Sequence, residues 1–227
     1  MKEPLILLHG AIGGITTLEG LKNAMELHFD IYSFNFSGHG KAEFSSKGFG
    51  IEVFADELSE FIRENNLIKP KIFGYSMGGY VALFLASTQP SLIGKIATLG
   101  TKFNWNPQSA ALESSRLEPE VMKEKIPAYT DYLIKTHGYK WDELVIKTAQ
   151  MMVELGDFPL LSSAQLEKIE CDVRIMRGDQ DTMVAAEESQ NAARGISAAS
   201  YFELPNTKHP IEKVDGSLLA KELLSFF

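Results

Sequence analysis

Six short, largely apolar stretches recur along the chain, and each stops at a glycine, a proline or a small polar residue. They cover residues 5–8, 31–36, 71–75, 95–99, 173–176 and 200–204. Runs of this length show little polar face to water, so they suit strands covered on both sides, as in a parallel sheet. Between them the period changes. Residues 51–64 carry Val53, Phe54, Leu58, Phe61 and Ile62 at the spacing of one helix face. Residues 78–87 are rich in Ala and Leu, and residues 217–227 place Leu218, Leu219, Leu223 and Leu224 on one side. Strands alternating with helices imply right-handed crossovers, hence an α/β fold with a doubly wound, mostly parallel sheet of about six strands. A length of 227 residues fits one such domain with ample core.

One stretch breaks the alternation. Roughly seventy residues separate the fourth apolar run from the fifth, far more than a usual connection. Helical patterns over 120–136 and 141–155 fill it, punctuated by Pro107, Pro119, Pro127 and Pro159. The expected organisation is a core of residues 1–101 and 171–227 with a helical cap, residues 102–170, inserted between the fourth and fifth strands.

Charge narrows the classes of partner. Asp and Glu total 30 against 22 Lys and Arg, a net charge of −8. Such a surface disfavours nucleic acid and anionic membranes, both polyanions, and leaves a small-molecule substrate as the expected partner. The one cysteine, Cys171, rules out a disulfide within the chain and any Cys/His zinc cluster; it reads as a small buried residue leading into a strand. The opening MKEPLILLHG holds an apolar run too short for a signal core or a membrane span, so a cytoplasmic location is expected.

Ligands of α/β sheets bind beyond the carboxyl ends of the strands. His9-Gly10-Ala11 follows the first run, Ser37-Gly38-His39-Gly40 the second, Ser76 the third, Asp179-Gln180-Asp181 the fifth and Thr207-Lys208-His209 the sixth. Ser76 sits in Gly74-Tyr75-Ser76-Met77-Gly78 between a strand-like run and an Ala/Leu-rich helix. A serine on so tight a turn needs small flanking residues, and the helix start offers unpaired N–H groups to developing negative charge. A serine hydroxyl also needs a base. His209, in a loop between the last strand and last helix, is the candidate. His28 and His137 fall in helix-like stretches, while His9 and His39 adjoin glycines and read as loop-shaping. The base needs an acid to fix its tautomer. Asp181 is preferred to Asp179 because it reaches further toward the His209 loop; Asp179 reads as a turn cap.

LLHGAIGG, FSGHG, GYSMGGY, MRGDQDTMV and the late His209 occur in an order that resembles the α/β-hydrolase superfamily across nearly the whole chain. The resemblance implies Ser76 as nucleophile, His209 as general base and acid, and Asp181 as orienting acid. It also implies an oxyanion hole from the backbone N–H groups of Ala11 and Met77, a cap over the site, and no metal or cofactor. Against the family's pattern, the strands that usually precede His-Gly are expected to be missing, which would trim the sheet to about six strands without touching the site. Asn35 and Ser37 stand where many members carry Asp and Arg.

The implied activity is hydrolysis of an ester-like bond through an acyl-enzyme, on a small and largely apolar substrate. Tyr75, Phe103, Trp105, Tyr129, Tyr132, Trp141, Met151, Met152 and Phe158 are candidates to line the pocket. Two alternatives are a cofactor-free lyase or C–C bond enzyme on the same residues, and a slow-turnover ligand-binding protein. Menaquinone-pathway synthases, the lyase branch, often carry Arg where this chain has Tyr80.

Overall fold

The computed structural model describes residues 2–227. The strands β1 (Glu3–Leu8), β2 (Phe29–Ser33), β3 (Lys71–Tyr75), β4 (Lys95–Leu99), β5 (Asp172–Gly178) and β6 (Ala199–Leu204) form one six-stranded sheet in the order β2-β1-β3-β4-β5-β6. All five pairings are parallel. The direction of winding reverses between β1 and β3, so the loops leaving these neighbouring strands diverge and open a crevice.

Helices cover both faces. In chain order they are α1 (Glu19–Met25), α2 (Ile51–Glu64), α3 (Met77–Thr88), α4 (Pro107–Ser114), α5 (Pro119–Lys125), α6 (Pro127–His137), α7 (Trp141–Asp157), α8 (Ser163–Leu166), α9 (Ala186–Gly195) and α10 (Gly216–Phe226). Alternation along β1 sorts the two cores. Leu5 and Leu7 pack with Leu21 and Met25 of α1 and Leu219 and Leu223 of α10. Ile6 and Leu8 pack on the other face with Phe54, Leu58 and Ile62 of α2 and with Val81 and Leu85 of α3. The inner strands are thus buried from two sides, which is why their sequences carry so few polar positions, while the edge strands β2 and β6 are only partly covered.

The expected strands and long helices all form. Two boundaries differ. The second strand is Phe29–Ser33 rather than 31–36, because the chain turns off the sheet after Ser33 and the Phe36 N–H donates to His9 Nε2 at 3.2 Å. The helical pattern over 120–136 divides into α5 and α6 at Pro127, which lacks the N–H a continuous helix would need.

Between β4 and β5 lie only helices, α4 to α8. Part of this stretch has its own small core, where Met122, Leu133, Trp141, Leu144 and Val145 meet Ile12. Its last part joins the main core instead: Leu161, Leu166 and Ile169 pack with α3 and α9 residues.

Candidate active site

Ser76 is the residue between β3 and α3. Its φ of 51° and ψ of −115° lie in a region that L side chains rarely adopt. The turn persists because its surroundings over-determine it. Ser76 N–H donates to Leu99 O at 2.8 Å, and its carbonyl accepts from Thr101 Oγ1 at 3.0 Å. The approach of α3 to the sheet is equally tight. A Cβ at Gly78 would lie 2.7 Å from the carbonyl oxygens of both Leu8 and His9, so no larger residue fits there. The Ala11 and Met77 N–H groups donate to no group among the described residues, and both residues sit beside Ser76 in one pocket.

The His209 Nδ1–H donates to Asp181 Oδ2 at 2.7 Å. The other oxygen, Asp181 Oδ1, accepts the backbone N–H groups of Met183 and Val184 at 2.8 and 2.9 Å. Burial opposes the ionised carboxyl, but the His209 hydrogen bond and these backbone donors outweigh it and hold the group below its usual range. Asp179 does other work. Its Oδ1 accepts the Thr207 N–H at 3.0 Å and so pins the loop that carries His209. Tyr75 pins the same loop from beneath, its hydroxyl donating to His209 O at 2.9 Å. Gly100, at φ +66°, closes the set: a Cβ there would lie 3.2 Å from His209 Cε1 and 3.5 Å from Asp181 Oδ2. Among the described residues neither Ser76 Oγ nor His209 Nε2 has a hydrogen-bond partner. Both residues line one cavity of about 590 Å³.

Around this centre the structure sorts the pocket candidates. Tyr75, Tyr129, Tyr132 and Met152 line the large cavity. Trp105, Met151 and Met152 line a narrow pocket on the other side of Ser76. Three candidates fall outside both. Trp141 is buried in the small core beneath α5 and α6. Phe103 packs against the main core. Phe158 is 78% exposed at the end of α7. Aromatic character within the expected cap nominated each, but residue type carries no information about which neighbour a side chain meets.

Several contributors have no local sequence signature. Buried Glu188 of α9 accepts the Phe103 and Asn104 N–H groups on Oε2 at 2.8 and 2.7 Å, fixing where the chain leaves β4 for the helical stretch. The Tyr80 hydroxyl accepts the Leu161 N–H at 3.0 Å where that stretch returns. Asn35 Oδ1 accepts the Ile15 N–H at 2.9 Å, tying the loop after β2 to the loop after β1.

Behind the Ala11 loop lie three buried histidines. His9 Nδ1–H donates to Gly10 O at 2.9 Å while its Nε2 accepts from Phe36. His39 Nδ1–H donates to Ser37 O at 3.1 Å. His137, at the end of α6, accepts the Gly40 N–H on Nδ1 at 2.8 Å and donates from Nε2 to Ile12 O at 2.9 Å. Burial lowers His9 to about 4 and lowers the other two as well. All three are neutral at pH 7, with roles set by their hydrogen bonds rather than by catalysis. Cys171 is buried just before β5, and burial pushes its thiol up to about 11, far from a thiolate.

The family described as the alpha/beta hydrolase fold matches residues 3–120, and the chain belongs to that family. Over 250 aligned residues it is 30% identical to the protein named "Putative carbamate hydrolase RutD" of Agrobacterium fabrum, covering 99% of this chain and 93% of the other. It is 31% identical over 96 residues to "Ethanol acetyltransferase 1" of Hanseniaspora uvarum; that match covers 40% of this chain and only 28% of the relative. The fold superimposes on the enol-lactonase from Burkholderia xenovorans LB400 with a TM-score of 0.79 at 16% identity, covering 100% of this chain and 91% of that one. No helix among the described residues is long and apolar enough to cross a membrane.

Proposed function

We propose that the protein is a serine hydrolase that cleaves an ester-like bond of a small, largely apolar substrate through an acyl-enzyme. The observation that carries this reading is the 2.7 Å hydrogen bond between His209 Nδ1 and Asp181 Oδ2, in a cavity shared with a serine on a strained strand-to-helix turn. Asp181 holds the His209 tautomer that leaves Nε2 free to accept a proton. His209 Nε2 takes the Ser76 proton as Oγ attacks the carbonyl carbon. The unpaired Ala11 and Met77 N–H groups receive the oxyanion. The proton then passes to the leaving oxygen, and a water activated by His209 releases the acid.

Residues 1–101 and 171–227 act as the hydrolase core and residues 102–170 as the cap that encloses substrate. The names of the relatives, a carbamate hydrolase and an acetyltransferase, fit attack on an acyl carbon. A lyase reading of the kind that uses a cation at the position of Tyr80 is disfavoured, because the Tyr80 hydroxyl is committed to Leu161.

A fluorophosphonate probe should label Ser76, and p-nitrophenyl esters should be hydrolysed. Ser76→Ala should lose labelling and lower kcat by about four orders of magnitude. An intact fold that neither labels nor turns over ester would instead point to a binding protein.

A further inference from the structure

Ser76 borders two spaces of very different size. One is a narrow pocket with a free volume of about 30 Å³. The other is the cavity of about 590 Å³. They adjoin at Ala11, Ser76, Met152 and Met183. The rest of the narrow pocket is lined by Met77, Tyr80, Lys102, Trp105, Met151 and Leu155 among others. A water needs roughly 10–15 Å³ of such space, so about two or three heavy atoms fit. His209 lines the large cavity and not the narrow pocket.

That asymmetry decides which end of an ester goes where. In acylation the Ser76 Oγ–acyl carbon bond forms and the acyl carbon–alkoxy oxygen bond breaks. The Oγ proton travels through His209 Nε2 to the departing alkoxide, which leaves as the alcohol. Proton delivery needs the leaving oxygen within hydrogen-bond reach of Nε2. The alcohol part therefore lies beside His209, in the large cavity, and the acyl chain is left the narrow pocket, which His209 does not line. We infer that the protein takes esters of short acyl groups, of about two to four carbons, on alcohols much bulkier than the acyl group. This rests on the serine-hydrolase reading above and names its substrate class.

The walls agree with the division. The narrow pocket is closed by large buried side chains: Tyr80, Met151 and Leu155 belong to the main core and cannot retreat without repacking it. The large cavity is bounded by the stacked Tyr129 and Tyr132 rings, 6.0 Å apart, and by the Glu113–Arg116 ion pair. An aromatic or alicyclic alcohol with a few hydrogen-bonding groups suits these walls. A volume of about 590 Å³ is within the usual range for small-molecule sites.

The test is a pair of ester series on the wild-type chain. With p-nitrophenyl acetate, butanoate and octanoate, kcat/KM should fall about a hundredfold from the shortest to the longest, about 2.7 kcal/mol at tenfold per 1.36 kcal/mol. With methyl, phenyl and 1-naphthyl acetates it should not fall as the alcohol grows. Trp105→Ala, or Met151→Ala if the first does not fold, should raise the octanoate-to-acetate ratio at least about tenfold. Ile126→Ala, in the wall of the large cavity, should leave that ratio unchanged. Octanoate cleaved as well as acetate by an enzyme whose Ser76 labels with fluorophosphonate would overturn the acyl assignment alone. Absence of labelling would overturn the hydrolase reading beneath it.

Discussion

Acid should weaken this fold earlier than its carboxylates can explain. Burial lowers His9 from 6.5 to about 4, so its neutral form is strongly preferred in the folded chain. In the unfolded chain it takes up a proton below about pH 6.5. Stability from His9 is thus fully present above that pH and is lost as pH falls toward 4. The difference in proton affinity amounts to about 3 kcal/mol at the acid limit, of which about 1.5 kcal/mol is lost between pH 6.5 and 5. His39 and His137 are lowered by the same cause and act with the same sign. Most unfolded-state carboxylates are still ionised in this window, so the histidines dominate it. Urea unfolding followed by the emission of the two tryptophans, at pH 6.5 and pH 5, should give unfolding free energies that differ by at least this amount, with a lower midpoint at pH 5 and an unchanged slope. Ring-nitrogen shifts should meanwhile show His9 neutral in the folded chain at pH 5. Equal midpoints, or a protonated His9 ring in the folded state, would refute the reasoning.

Other perturbations separate catalysis from architecture. Asp181→Asn keeps an acceptor for Met183 and Val184 but turns a donor toward His209 Nδ1; kcat should drop about ten-thousandfold while the fold persists by circular dichroism. Tyr80→Phe leaves the buried Leu161 N–H without an acceptor, at about 1–3 kcal/mol, and calorimetry should record a Tm several degrees lower. Gly78→Ala drives a methyl onto two backbone carbonyls that cannot yield, so chemical denaturation should show a loss of roughly 3 kcal/mol or more.

The parts of the fold that follow from local pattern were legible in advance. Leu5 and Ile6 point to opposite faces and both are buried, so β1 reads as an unbroken apolar run. The helix over Ile51–Glu64 starts and ends where its periodicity does. Asp181, Ser76 and His209 stood out as candidates because each follows a strand in a known order, and the structure brings Asp181 against His209 and puts Ser76 and His209 in one cavity. What was hidden depends on meetings between distant residues. Glu188 looks like any helix-surface acid, yet it is buried over Phe103 and Asn104. Tyr80 lies 81 positions from Leu161. Trp141 and Trp105 both stand between polar neighbours in the sequence, and only packing sends one to a core and the other to a pocket. The division of the cavity by Ser76 has the same origin.

The helical stretch proposed as the cap is fastened at three separated points: Glu188 where it departs, Tyr80 where it returns, and His137 onto the Ile12 carbonyl in between. A cover fixed in this way is a roof rather than a door. Its dimensions are set when the chain folds, not when a ligand arrives. Changes at Glu188 or His137, although neither touches the reacting atoms, would therefore alter which molecules gain entry more than how fast an admitted one reacts.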